Sequence, residues 1–318
     1  MKSIVQRTVL ACLAVSGAAV LMAPGIASAA LPSRSWVSGN GNDGNDCSHG
    51  SPCLTFATAL TKTAAHGEID AMDNGGFGPV TINKSITIAG NGIGTASVMA
   101  SASDGIVVAA GPTDVVTLRG LQVTGSATGT NGIHMTSGAT LKIQDCVVEQ
   151  FSGVGILDNS NQAHQIFVTN TSVTDNTGGG IIIAPTGGPT LATVTGVRAE
   201  SNALGIKIDS SGASGPVGMT IEDSTVAGNV NAGINALSGG GGQSADLIII
   251  RTTVAGNGTD GVKASGAAAT AKIGGSIVTH NFGVALHALS GAVVDSFGNN
   301  EIKSNQGGDG TFTATALK

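Results

Sequence analysis

Three basic side chains form the part of this sequence whose types and spacing could do chemistry. When the repeats of its second half are aligned on one another, Lys207, Lys263 and His287 fall in one outward-facing column, with Asn235 between the two lysines. Ammonium and imidazole groups in a row could contact an acidic polymer, or supply a base beside an acidic sugar. A solvated polar face without a ligand is the alternative interpretation. The catalytic residues therefore stay unknown, with these three as candidates.

The acidic residues do not indicate a metal site or an acid–base pair. Asp223 and Arg251 stand at equivalent positions of neighbouring repeats, which predicts a surface ion pair between them. Glu222 and Asp223 are adjacent, so on a strand their side chains should point to opposite sides and form no carboxylate pair. Calcium needs about six to eight oxygen ligands, and the aligned columns do not supply them. The sequence thus predicts neither a metal ion nor a cofactor.

A beat of three aliphatic residues, repeated about every 25 residues, predicts the elements that position these side chains. The first two residues of a beat are five apart and the last two are usually eight apart, as in Ile143, Val148 and Ile156. The beat begins again at Val168, Val194, Ile221, Ile249 and Ile273. Short β-branched runs broken by Gly, Asn, Asp and Ser leave room for strands and not for helices. Three short strands per repeat predict an all-β fold, a right-handed parallel β-helix of about nine coils.

An Asn recurs at the bend between the second and third strands of the repeat. The residues of this column are Asn176, Asn202, Asn229, Asn257 and Asn281. Asn tolerates left-handed backbone angles and bonds nearby backbone groups, so it suits a tight bend. Stacked on neighbouring coils, such residues can form a ladder of amide hydrogen bonds. We interpret the column as scaffold rather than as a ligand site.

The first 29 residues have the pattern of an export signal. Lys2 and Arg7 precede an apolar run, and Ala27-Ser28-Ala29 supplies a small-residue cleavage site. The run is too short for a membrane span, and Cys12 leaves a lipoprotein signal as an alternative. Loss of the two positive charges takes the net charge from −6 to −8, which argues against a nucleic-acid partner. We expect a secreted or periplasmic protein without membrane contact after cleavage.

The mature chain is expected to divide into three segments. Residues 30–67 hold a polar loop and an Ala-rich helix, predicted over 55–65, that would cap the first coil. Residues 68–294 form the β-helix, and residues 295–318 form a C-terminal cap or tail. The apolar residues of this tail could cover the last coil: Phe297, Ile302 and Phe312.

The cysteines predict one disulfide. Cys47 and Cys53 flank a short polar loop of an exported chain, so a local disulfide between them is expected. Cys146 has no evident partner, and its position at a strand end predicts a small buried side chain rather than a reactive thiol.

The mature chain resembles the exported bacterial right-handed parallel β-helix repeat proteins of the pectate-lyase-like superfold. The segments that carry the resemblance are residues 36–43, 47–56, 67–69, 76–78, 80–82 and 85–88, the repeats, and residues 296–302. The resemblance implies the β-helix and export, and most members of this group have no assigned function. Polysaccharide lyases and hydrolases share the superfold.

The features that such enzymes usually carry are scarce in this chain. Hydrolases of the superfold typically show Asn-Thr-Asp, paired Asp, Gly-His-Gly and Arg-Ile-Lys motifs, and none of them occurs. Aromatic rings, which stack on sugars, number seven Phe, no Tyr and one Trp, and Trp36 is expected to lie before the first coil.

We therefore favour an exported, non-catalytic β-helix module that is associated with a surface or matrix and contacts an extracellular polysaccharide. The alternative is a polysaccharide lyase, or another carbohydrate-active enzyme of this superfold, that uses the basic strip. A phage or appendage fibre segment is a third hypothesis and would require a trimer. The predicted caps at both ends favour a monomer.

Overall fold

The computed structural model describes residues 30–90 and 96–315. The predicted signal segment, with Cys12, lies outside the described residues. Three parallel sheets wind into a right-handed β-helix of about nine coils with one short helix, so the predicted fold is confirmed. Within the described ranges, no helix is long and apolar enough to span a membrane.

The first sheet runs the whole length of the stack. Each of its strands pairs in parallel with the equivalent strand of the next coil. Its strands are Arg34–Val37, Gly67–Ala71, Ile86–Ala89, Val115–Arg119, Thr140–Gln144, His164–Thr169, Thr190–Thr195, Val217–Glu222, Ala245–Ile250, Ala269–Gly274, Val293–Ser296 and Thr313–Ala314.

The second and third sheets complete each coil in chain order. The second sheet holds Gly75–Gly76, Ala96–Met99, Leu121–Thr124, Val147–Glu149, Ser172–Thr174, Arg198–Glu200, Thr225–Ala227, Thr253–Ala255, Ile277–Thr279 and Glu301–Lys303. The third sheet holds Val80–Ile82, Ile106–Ala109, Ile133–Ser137, Val154–Asp158, Gly179–Ile183, Ile206–Asp209, Ile234–Leu237, Val262–Ser265 and Leu286–Leu289.

The aliphatic beat fills the interior, with one residue on each sheet. Ile143, Val148 and Ile156 lie on the first, second and third sheets, and each is at most 1% exposed. Ile143 pairs with Val168 of the next coil, so the beat is in register from coil to coil. Because alternate residues of a strand face outwards, outward columns run along the helix axis with a step of about 4.8 Å per coil.

The Asn column forms the predicted ladder at the corner between the second and third sheets. Asn202 Nδ2 donates to Asn229 Oδ1 at 3.3 Å, and Asn229 Nδ2 donates to Asn257 Oδ1 at 2.9 Å. The same Oδ1 atom of Asn229 accepts the backbone N–H of Asn202 at 3.0 Å. Asn305, which was not predicted, adds a rung beyond Asn281 at 2.9 Å. Buried amides therefore tie each coil to the next.

The left-handed backbone at this corner belongs to the residue before each Asn, not to the Asn itself as predicted. Asp175, Ser201 and His280 have φ of 57°, 57° and 54°. Gly228 occupies the same position at φ 63°, where a glycine pays no steric cost. Turning the chain at the preceding residue aims the Asn side chain inward, where its amide can bond both neighbouring coils.

The corner between the first and second sheets has a left-handed column of its own. Asp145, Asn170, Asp223 and Arg251 have φ of 54°, 48°, 50° and 47°. Asp and Asn tolerate this conformation, so these side chains are explained by the backbone rather than by a metal ligand set. Arg251 is the uncommon residue type at this position.

A helix covers the N-terminal end of the stack. It spans Phe56–Lys62, within the predicted segment. Thr55 Oγ1 accepts from the backbone N–H of Thr58 at 3.2 Å and caps its start. Lys84 Nζ donates to the carbonyl oxygen of Leu60 at 2.7 Å near its end. The residues that it buries against the first coils are Phe56, Ala59 and Leu60.

The predicted Cys47–Cys53 disulfide is present, and its loop covers the free edge of the first sheet. That edge belongs to the strand Arg34–Val37, which was not predicted from the sequence. Cys53 N donates to Trp36 O at 3.0 Å, and Trp36 N donates to Cys47 O at 2.9 Å. An uncovered edge would recruit other chains. Trp36 lies on this end strand, which contacts the capping helix, and pairs with Asp70 of the next strand.

The C-terminal end is covered less completely. Ile302 packs partly against the core, as predicted. Phe312 is 41% exposed and does not close the last coil. It lies instead beside Val293 and Val294 at a hollow of about 290 Å³.

Cys146 is a buried filler, as predicted. Its side chain is 1% exposed, and burial raises the pKa of the thiol to about 11. A thiol that stays protonated at neutral pH is a poor nucleophile.

Candidate functional site

The basic residues form one continuous row on the third sheet. The strand register places Lys207 beside Asn235, Asn235 beside Lys263, and Lys263 beside His287. Four consecutive rungs at strand spacing make a row about 14 Å long. We refer to these four residues as the third-sheet strip.

Two of the three basic groups in the third-sheet strip already have carboxylate partners. Lys207 Nζ lies 2.8 Å from Asp209 Oδ2, two residues further along the same strand. Burial alone would raise the pKa of Asp209, but its hydrogen bonds, above all the one from Lys207, outweigh burial and lower it. His287 Nδ1 lies 2.9 Å from Asp260 Oδ2. Lys263 forms no ion pair with any described residue.

The carboxylate beside His287 belongs to an Asp–His arrangement that occurs twice on the third sheet. Asp260 Oδ1 accepts the backbone N–H of Val284 at 2.9 Å. Near the other end of the sheet, Asp104 Oδ1 accepts from Asn131 N at 2.9 Å and Asp104 Oδ2 binds His134 Nδ1 at 2.6 Å. Neither pair was predicted, although each Asp lies two residues before a buried third-sheet position. Each carboxylate accepts a hydrogen bond from a backbone N–H group at a corner of the coil and orients the imidazole ring of its histidine.

A shallow groove of about 470 Å³ lies on a different face, the outer side of the first sheet. Three successive strands form it: Val115–Arg119, Thr140–Gln144 and His164–Thr169. We refer to it as the first-sheet groove. Its lining residues are Val115, Thr140, Lys142, Gln144, Gln165, Phe167 and Thr169.

Lys142 and Phe167 give the first-sheet groove its chemical character. They are register partners on neighbouring strands, so the ammonium group and the ring belong to adjacent rungs. Lys142 forms no ion pair with any described residue. Gln144 and Gln165 add amide donors and acceptors on either side. This set suits a ligand with an apolar face, hydroxyl groups and a negative charge.

The first-sheet groove was not predicted, because Lys142 and Phe167 lie outside the two columns that follow the first and the third residue of the beat. The column one residue before the first beat places Lys142 next to Phe167, and Thr193 follows on the next rung. Alignment of that column is the sequence signal that would have found the groove.

A buried ion pair anchors the groove strand that carries Phe167. His164 begins that strand, and its Nε2 lies 3.0 Å from Asp158 Oδ2, with both side chains 0% exposed. Burial lowers the pKa of His164, but the hydrogen bond and charge of Asp158 outweigh it, and the pKa is raised. Asp158 ends a third-sheet strand, so the pair fastens the corner between the third and first sheets.

The predicted ion pair between Asp223 and Arg251 is present, with Arg251 Nε 2.8 Å from Asp223 Oδ1. Arg251 also binds Glu222, so the prediction that the two carboxylates point to opposite sides was wrong. The first-sheet strand ends at Glu222, and the left-handed turn at Asp223 brings both side chains toward the same guanidinium. That guanidinium lowers the pKa of Asp223.

The first-sheet groove offers amides, hydroxyl groups, one ammonium and one aromatic ring as binding groups. In residues 30–90 and 96–315, no group of three or more His, Cys, Asp or Glu is placed to hold a metal ion. Among the residues that the structure describes, no carboxylate lines the first-sheet groove, and Lys142 is its one titratable side chain. Amides and hydroxyls bind and orient a ligand, but their pKa values lie too far from neutral pH for efficient acid–base catalysis.

Comparison with protein families matches residues 81–245 to the right-handed β-helix region. Among curated proteins nothing matches this chain.

Solved structures share the fold at low identity. Pectate lyase Pel9A is similar with a TM-score of 0.55 and 16% identity, over 90% of this chain and 78% of that chain. A rhamnogalacturonan lyase has a TM-score of 0.58 and 14% identity, over 79% of this chain and 74% of that chain. Tailspike protein 2 of Escherichia coli O157:H7 bacteriophage CAB120 has a TM-score of 0.54 and 12% identity, over 79% of this chain and 39% of that chain.

Proposed function

Since this chain belongs to the right-handed β-helix family, we propose that it is an exported, non-catalytic module that binds an extracellular polysaccharide in the first-sheet groove. The observation that carries the proposal is Lys142, which has no ion pair with any described residue, beside the ring of Phe167 and flanked by two glutamines. The similar structures are named for lyases of pectate and rhamnogalacturonan, which supports a saccharide as the ligand.

The groove side chains match the parts of an acidic sugar. The flat ring of Phe167 can stack on the apolar face of a pyranose. The amides of Gln144 and Gln165 can donate to and accept from its hydroxyl groups. The ammonium of Lys142 can pair with a carboxylate, because no described acidic side chain lines the groove to compete for it. A uronate-containing polymer is therefore the preferred ligand.

The scarcity of proton-transfer groups among the described residues of the groove supports binding without turnover. Cleavage of a uronate polymer by elimination needs a base and charge neutralisation at the carboxylate. Lys142 could supply one of these roles, while its amide and hydroxyl neighbours supply neither.

Binding and turnover can be measured on the same polymers. We expect polygalacturonate or alginate to be retained by the immobilised protein, with no rise in the absorbance of unsaturated uronates, with or without calcium. Phe167→Ala should weaken binding about tenfold, the equivalent of about 1.4 kcal/mol, whereas Phe282→Ala, at an exposed corner, should leave it unchanged. Release of unsaturated products would favour the lyase alternative. Failure to bind any of the polymers would overturn the proposal.

Export and domain organisation belong to the same proposal. The disulfide is consistent with an oxidising compartment, and we expect residues 1–29 to be removed. N-terminal sequencing of the protein recovered from culture medium or periplasm should begin near Ala30. Recovery of the uncleaved chain in the cytoplasm would contradict export.

A further inference from the structure

We infer that the C-terminal end of the stack is a dimerisation surface, where two copies of this chain pair end to end. The inference goes beyond the proposed function and does not depend on it. It is carried by a free strand edge at that end, by the order of charges along that strand, and by the cover at the opposite end of the stack.

The free edge belongs to the last strand of the second sheet, Glu301–Lys303. This strand pairs in parallel with Ile277–Thr279, and no described strand pairs with its other side. Glu301 N donates to Ser276 O at 2.9 Å, so the backbone groups of Glu301 face the stack. Because successive strand residues direct their backbone groups to alternate sides, the N–H and C=O groups of Ile302 point away from the stack. Such an edge can pair with another chain.

The charges on this strand make it complementary to itself. In an antiparallel pair centred on Ile302, the two Ile302 residues exchange both backbone hydrogen bonds. Glu301 of each copy then lies opposite Lys303 of the other copy. Opposite charges across a strand pair stabilise it, and like charges destabilise it. Asp309, the remaining charged residue of segment 301–315, belongs to the third-sheet side of the coil.

The two charged side chains are available for this exchange of partners. In a single copy, Lys303 Nζ lies 3.2 Å from Glu301 Oε2 of the same strand, and the side chains are 65% and 66% exposed. An exposed ion pair of this kind contributes little to stability. Each group can therefore turn to the opposite charge of a second copy at little cost.

The symmetry of this pair predicts a closed dimer. A two-fold axis through Ile302 relates the two copies, and an interface of this type is complete with two copies. The opposite end of the stack is covered by the helix Phe56–Lys62 and by the disulfide loop, so head-to-tail stacking into a filament is not favoured. The expectation of a monomer depended on a cover at both ends, and Phe312 does not close the last coil.

Apolar surface at the same end adds to the interface. Phe312 and Val293 are 41% and 42% exposed and lie at the hollow of about 290 Å³. The two-fold rotation turns the terminal coils face to face, so that each copy supplies the neighbouring coil that the other lacks. A coil is stabilised by its neighbours, and removal of apolar surface from water favours the pairing. In dilute solution the end stays uncovered.

Charge reversals at exposed positions test this pairing. We would measure the mass of the protein in solution by sedimentation over a wide range of concentrations. Lys303→Glu and Glu301→Lys each place like charges opposite one another twice in the dimer, and the double variant restores both opposite pairs. Arg198→Glu is the matched control, because it reverses one member of the equivalent exposed pair with Glu200 in an inner coil of the same sheet.

The wild type and Arg198→Glu should change from monomer to dimer as the concentration rises and should stop at twice the monomer mass. Each single reversal should weaken dimerisation about tenfold, and the double variant should recover the affinity of the wild type. An equimolar mixture of the two single variants should also dimerise, since the doubly positive strand of one lies opposite the doubly negative strand of the other. Unfolding midpoints should stay within a few degrees of the wild type, because both positions are exposed.

Three results would overturn the inference. A wild type that stays monomeric up to about 1 mM shows that this end does not bind a second copy. A dimer that both single reversals leave intact is formed by another part of the molecule. A mass that continues to grow beyond two copies indicates an open assembly rather than a two-fold pair. Polysaccharide binding is measured separately, so none of these results decides the proposed function.

Discussion

The third-sheet strip and the first-sheet groove are built alike and differ in what surrounds their lysines. Both are outward columns on consecutive strands, about one strand spacing apart per rung. In the strip, Lys207 is held by Asp209 on the same strand, whereas in the groove Lys142 has no ion pair with any described residue and stands beside Phe167. Repeat spacing therefore predicts which side chains share a face. Whether a lysine can pair with a charged ligand depends on whether a neighbouring carboxylate already offsets its charge.

The largest effect should come from the scaffold that both surfaces share. Asn229→Ala removes ladder bonds to Asn202, Asn257 and Ala199 and leaves buried groups unpaired. We expect a loss of about 3 kcal/mol in the free energy of unfolding, measured by urea titration. Asn231→Ala, which removes one exposed bond, should cost less than about 1 kcal/mol. Equal costs would mean that the ladder does not hold the two surfaces together.

The next effect tests the difference between the two lysines directly. Lys142→Met should weaken polygalacturonate binding about tenfold at low salt, the equivalent of about 1.4 kcal/mol, and should flatten its salt dependence. Lys207→Met should change it less than about twofold, because the charge of Lys207 is already offset by Asp209. Isothermal titration at two salt concentrations measures both. Similar losses of polygalacturonate affinity in Lys142→Met and Lys207→Met would contradict the proposed difference between the two lysines.

A smaller gain is expected when the strip is made more like the groove. Asp209→Asn frees the ammonium of Lys207, so affinity for polygalacturonate should rise about two- to threefold at low salt, the order of one exposed ion pair. Asp246→Asn, an exposed acidic position on the first sheet outside the groove, is the control for net charge. An equal gain in the control would assign the change to net charge rather than to Lys207.

The smallest effect concerns the corner that joins the two sheets. The pKa of His164 is raised above the ordinary value of a histidine, which is about 6.5, so its pair with Asp158 stabilises the fold fully below that pH. This contribution is lost as the pH rises through the raised pKa. The free energy of unfolding of the wild type should therefore decline on the alkaline side of that window. In His164→Gln this decline should be absent, and an unchanged pH profile would show that the pair does not titrate as described.

The repeat made most of the scaffold predictable. Ile143, Val148 and Ile156 could be assigned to three sheets because a fixed interval between buried residues determines a coil. The Asn ladder followed from the same alignment. Its rungs were predicted correctly, but the left-handed residue is Asp175 rather than Asn176, because residue type alone does not say which of two neighbours makes a turn.

The parts that were not predicted depend on neighbours outside the repeat. Trp36 lies on a strand that pairs with the strand of Asp70, more than thirty residues away. No local sequence pattern therefore predicts this strand. Glu222 and Asp223 converge on Arg251 because the strand ends between them. The column one residue before the first beat brings Lys142 beside Phe167 in the first-sheet groove, but the width of the groove also depends on the sizes of side chains on three strands.

Because the last coil is incompletely covered by described residues, unfolding should begin at the C-terminal end of the stack. A coil in a stack is stabilised by its two neighbours, and the coil that ends in Thr313–Ala314 has only one in the described chain. Thermal fraying should therefore start there and move inward, while the helix and the disulfide loop hold the opposite end closed. Amide hydrogen exchange should slow progressively from Val293–Ser296 toward Thr140–Gln144 and stay slow as far as Gly67–Ala71. The stack would then unfold progressively from its C-terminal coil toward its N-terminal coil.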